Sequence, residues 1–173
     1  MGGGPPAKWP PGPIVVVANP AFDLDLSGVR SDILKRGYAY WRSRCGPGLP
    51  ARAKIDPVDI PALLPHVVIH GVKRDPLDFV YRLVGTEVRR HMAEDRTGQW
   101  MSAIAEQRPP SQIWDNLAAI VATGHPLVNR TPYDGPQKHF VTMEDLQLPL
   151  AADGVNVDMI LVFVDFLRPS ARK

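Results

Sequence analysis

Apolar positions recur at helical spacing over residues 28–44, where Val29, Ile33, Leu34, Tyr40 and Trp41 share one side. Arg30, Lys35, Arg36 and Arg42 fall mostly elsewhere, so the stretch predicts an amphipathic helix with Ser27 as its cap. Cys45-Gly46-Pro47-Gly48 stops it. Prolines at 57, 61 and 65 then favour a short helix near 57–63, capped by Asp56 with Pro57 in its first turn. Period-two alternation predicts strands at 66–74 and 78–84, joined as a hairpin through Arg74–Asp78. In the second strand Phe79, Tyr81 and Leu83 are expected on one face, with Val80, Arg82 and Val84 on the other.

Gly85 breaks that strand, and Thr86 is placed to cap a short helix starting at Glu87. The Asp95-Arg96-Thr97-Gly98 turn and a short piece at 101–108 lead to a longer helix at about 110–123, stopped by Gly124. Ile113, Leu117, Ile120 and Val121 mark its buried side, with Trp114 beside them. Three more strands are expected at 126–133, 139–150 and 155–167. The last is apolar on both faces, with Val157, Met159, Leu161 and Phe163 on one and Ile160, Val162 and Val164 on the other. A strand buried on both faces belongs in the middle of a sheet covered on both sides. The order of elements is an α+β layout: five antiparallel strands, short helices on one face, and the amphipathic helix 28–44, or a partner subunit, against the other.

Length and composition narrow the function classes. At 173 residues the chain suits one domain with a substantial core. Residues 1–27 are Pro/Gly-rich at the start and read as a flexible arm, with Ile14–Val17 either a short strand or an apolar patch on the domain; 28–168 are the domain and 169–173 a tail. Net charge is +2, with eight basic against three acidic residues in 1–54 and twelve against fifteen in 55–173. That asymmetry is weaker than the basic footprint of a dedicated nucleic-acid binder. The single cysteine, Cys45, excludes an internal disulfide and a Cys-based zinc site, and suits the cytoplasm. No apolar run near the start is long enough for a membrane span.

Several segments together resemble the PAS domain, in particular a bacterial family of small PAS-like proteins. They are LPARAKIDPVDIPALLPHVVI (49–69), FVYRLVGTEV (79–88), the DRTG turn (95–98), IVATGHPLV (120–128) and LQLPLAADGVNVDMIL (146–161). Arg96 stands where the turn motif of the family has leucine. The resemblance implies a five-stranded sheet and a sensory or interaction module, often dimeric, whose pocket holds a small ligand or cofactor. It supplies no catalytic set.

Candidate residues follow from the expected faces. Tyr81, Leu83, His91, Trp100, Trp114, Met143 and Met159 are candidates to line a pocket between sheet and helices, against a plain core role for each. Arg52 is either an anchor for an anionic ligand or a tie to loop carbonyls and the nearby aspartates. His91 is a candidate haem ligand, the alternative being a core or solvated histidine. His66 and His70 on one strand would lie ~13 Å apart, too far for one metal. Glu144 and Asp145 are adjacent in a strand, so they face opposite ways and cannot act as a pair. No nucleophile–base elbow, phosphate loop or HExxH spacing occurs. The expectation is a non-enzymatic, cytoplasmic sensory module. Its ligand would reposition the helix 28–44 at a homodimer or partner-protein interface through Ile33, Tyr40 and Trp41. A small enzyme using the same cavity, and nucleic-acid binding through the basic side of that helix, are the alternatives.

Overall fold

A computed structural model describes residues 20–133 and 135–170. The strand or apolar patch expected at Ile14–Val17 lies outside the described residues. Five strands, β1 (Val67–Lys73), β2 (Asp78–Val84), β3 (Leu127–Pro132), β4 (Thr142–Leu150) and β5 (Met159–Leu167), form one sheet in the order β2-β1-β5-β4-β3. Every pairing is antiparallel. The strand that is apolar on both faces, β5, is indeed the central one. It starts at Met159 rather than 155, because Asp153 accepts from the amides of Val155 and Asn156 and holds the approach as a turn.

Helix α1 (Asp32–Arg44) covers one face of the sheet. Its cap is Ser31, not Ser27: the Ser31 hydroxyl accepts from Leu34 N at 3.2 Å and donates to Asp165 Oδ2 at 2.7 Å. Ser27 lacks that role because residues 20–30 run across α1 before it begins. Tyr38 donates to Phe22 O, and the Phe22 ring meets Trp41 edge-on at 5.7 Å. Of the residues assigned to the flexible arm 1–27, Phe22 is buried in the domain core. Gly37 lets α1 lie close to the sheet: a methyl there would fall 2.5 Å from the Phe163 ring.

The other face is covered by α2 (Thr86–Arg90), a 3-10 turn at Met101–Ala103, and α3 (Gln112–Thr123). Gly85, not Thr86, is the cap residue of α2, and Thr86 is its first helical residue. Ser111 caps α3, and Gly124 ends it in the left-handed region at φ 68°, as its lack of a Cβ allows. The helix expected near 57–63 is instead three 3-10 turns at 52–54, 57–59 and 64–66, for prolines keep interrupting the ladder.

Candidate functional site

Between the sheet and the α2/α3 layer lies a cavity of about 290 Å³. On β5, alternation points Val162, Val164 and Phe166 into it while Phe163 points at α1. Val68 and His70 come from β1, Tyr81 from β2, Asn129 and Thr131 from β3, and Met143, Asp145 and Gln147 from β4. The helices add Val88, Ile113, Asn116 and Leu117. Polar groups enter from both layers: Asn129, Thr131, Asp145 and Gln147 from the β3–β4 side of the floor, and Gln107, Gln112 and Asn116 from the helical side.

The most buried of these polar groups lack full hydrogen bonding. Asp145 Oδ2 accepts from Gln147 Nε2 at 2.8 Å and Asn129 Nδ2 at 3.3 Å. Burial pushes the Asp145 carboxyl above the usual carboxylate range, and those two amides only partly counter it. Gln147 Oε1, His70 Nδ1 and His91 Nε2 are buried with no hydrogen-bond partner among the described residues. Burial alone brings His70 down to about 4, so its imidazole is neutral at pH 7. Tyr81 donates to Gln107 Oε1 at 2.9 Å, and its ring lies 4.5 Å from that of His70.

Of the residues expected in a pocket, Tyr81, His91 and Met143 line this one. Leu83 does not, and its expected facing is corrected. Arg82 is an extra residue in the β1–β2 register, which runs Ile69 to Leu83 and then His70 to Tyr81. That bulge turns Leu83 to the opposite face from Tyr81, where it is 39% exposed. Trp100 also lies outside, 39% exposed: it bridges to Val80 along the free edge of β2, with the Lys73 ammonium 5.7 Å from its ring. Trp114 packs edge-on against Phe79 at 5.2 Å instead of entering the cavity. Met159 shares the α1-facing side of β5 with Leu161 and Phe163.

Arg52 is no pocket anchor; its guanidinium donates to Ile55 O at 2.9 Å and ties its own loop. Tyr40 and Trp41, expected at an interface, are fully buried inside the chain, and Trp41 Nε1 donates to Pro149 O at 3.0 Å. Ile33 packs beside them on the same core. Most of the apolar side of α1 packs within the chain, which leaves Ile33 partly exposed. Of the basic residues there, Arg42 pairs with Asp23 at 3.3 Å and Arg44 with Asp59.

His91 ends α2 against an aromatic group. Phe166 stacks on it with ring centres 3.6 Å apart, Tyr133 Oη is 2.7 Å from its Nδ1, and Glu87 Oε1 is 3.5 Å from Nε2. Burial lowers its pKa despite the attraction of Glu87. Haem does not fit here. The ring face is occupied by Phe166, Nδ1 is engaged by the Tyr133 hydroxyl, the cavity is at the bottom of the size range for ligand sites, and no Lys or Arg among the described residues lines it to meet propionates.

Sequence reasoning missed Asp145, Gln147, Asn129 and His70. The signal was present: Asp145 and Gln147 are two apart on one face of a long, otherwise buried strand, where unpaired polar groups are costly. Their neighbour Glu144 faces α1, as the alternation requires. It accepts from Ser31 N at 2.9 Å, Arg30 N at 3.1 Å and Arg130 Nε at 2.9 Å. Burial would raise its pKa, but these donors outweigh it and hold the carboxyl low.

No helix among the described residues is long and apolar enough to cross a membrane. Neither the curated proteins nor the solved structures gave a significant match to the chain. A family model described as PAS domain matches residues 29–163, which takes in α1, β1 to β4, the helices over the cavity and the first half of β5. That match spans most of the chain, so the chain belongs to the PAS domain family.

Proposed function

We propose that this sensory or interaction module works by holding a small ligand in the cavity and reporting its presence through α1. The carrying observation is the way two strands couple the two faces of the sheet. On β4, Asp145 faces the cavity while the next residue, Glu144, holds the backbone amides at the start of α1. On β5, Val164 and Phe166 face the cavity while Asp165, between them, accepts from the Ser31 hydroxyl that caps α1.

A ligand that shifts β4 or β5 by a fraction of an ångström thus acts directly on the cap. The shift in equilibrium cannot exceed the ligand's differential affinity for the two arrangements. The residues free to meet a partner protein or a second copy are those on the outer side of α1, where Asp32, Lys35, Arg36 and Ser43 are exposed. We infer binding without turnover.

Two measurements test this. Native mass spectrometry of protein purified from its own host should show a bound mass that is released on unfolding. Hydrogen exchange of the amides at 30–36 should change when that molecule is stripped out. A bare chain mass, together with no thermal shift across a library of small metabolites, would overturn the proposal.

A further inference from the structure

Building on that sensory reading, we infer that the cavity is shaped for a small molecule bearing a protonated amine. Its ammonium group would sit between the Asp145 carboxylate and the Gln147 amide oxygen, and its apolar body against Val162, Val164 and Phe166.

The charge inventory of the lining points this way. Among the described residues it contains one carboxylic acid, Asp145, and no Lys or Arg. Both amide donors to Asp145 reach the same oxygen, Oδ2, and no donor among the described residues reaches Oδ1. Gln147 turns its NH₂ to Asp145, which leaves its own oxygen as a buried acceptor without a partner. Asp145 and Gln147 are two apart on β4, so the two oxygens open onto the same part of the cavity.

An unpaired buried carboxylate is costly, and removing water from an unfilled acceptor adds to that cost. One ammonium group supplies donors to both at once and brings the missing positive charge. An anion has the opposite problem, with no Lys or Arg among the described lining residues to receive it. The rest of the lining suits an aliphatic or aromatic body, since Val162 and Val164 pair across the ladder with Gln147 and Asp145. Phe166 and Tyr81 supply aromatic walls, and aromatic faces also attract cations.

The test uses the full chain and a panel of primary amines from butylamine to 2-phenylethylamine, each compared with its matching alcohol by calorimetry. At least one amine should bind ten-fold or more tightly than its alcohol, and Asp145→Asn should erase that preference. In the unaltered protein, selectively labelled with ¹³C-aspartate, the amine and not the alcohol should move the Asp145 carboxyl resonance, so the inference does not depend on the variant folding. Equal binding of amine and alcohol, or a preference that survives Asp145→Asn, overturns it. So does failure of every amine to bind; the co-purification measurement then still judges the sensory reading by itself.

Discussion

His70 gives the most direct test of how the cavity floor is built. Its side chain is carried by β1 into the lining, is 3% exposed, and leaves Nδ1 without a partner. Burial lowers its pKa from 6.5 to about 4, with no nearby charge contributing. A histidine that prefers to stay neutral in the folded state gives stability that is complete above the unfolded value. That stability is lost as pH falls from 6.5 towards the folded value. Each unit of that span is worth about 1.4 kcal/mol, so the whole span is worth about 3 kcal/mol. Against a total stability of about 5–15 kcal/mol, such a loss is easily read.

The assay is urea unfolding at steps from pH 7 to pH 4, followed by tryptophan fluorescence, on the wild type and on His70→Gln. The carboxylates and His91 are common to both proteins, so their titrations largely cancel in the difference. Acid should cost the wild type about 3 kcal/mol more than the variant, with the divergence confined to the span below pH 6.5. A difference that stays flat over this range would refute the reasoning, as would an NMR titration that places His70 near 6.5.

Three further outcomes follow from the α1 side of the sheet. Gly37→Ala should destabilise by about 1–3 kcal/mol in chemical unfolding, although alanine is the better helix former by about 1 kcal/mol, because the methyl meets the buried Phe163 ring; a gain in stability would show that α1 lifts freely. Ser31→Ala removes both the amide cap and the bond to Asp165 and should cost about 1–2 kcal/mol, read as a lower melting temperature. Glu144→Gln should be less stable than wild type at neutral pH, and the gap should close as pH falls through the low folded pKa of Glu144, since stability from a depressed carboxyl exists only above that value. A gap independent of pH would mean that the amides of Arg30 and Ser31 do not depend on the charge.

The periodic signals carried the architecture. Alternation along 155–167, apolar on both sides, required a central strand, and β5 is that strand. The helical stripe of 28–44 required a sheet beneath it, and Tyr40 and Trp41 are buried there. These inferences need only the side-chain directions of regular elements, which are set locally by backbone geometry. The same alternation separated Glu144 from Asp145 correctly, one to α1 and one to the cavity.

Where the backbone leaves regularity, local rules failed. One extra residue, Arg82, in the register of β1 and β2 moved Leu83 to the opposite face, and no period-two pattern contains that shift. Gly37 reads from the chain as a weak point in a helix, yet its role is to admit Phe163, a residue 126 positions away. The sequence by itself determined the five strands, the two longer helices and the faces of the regular stretches. Which polar groups would share one cavity, and which would remain unpaired, was decided only when β1 and β4 were brought beside β5 and β3 beside β4, because solvation and partnership depend on neighbours far along the chain.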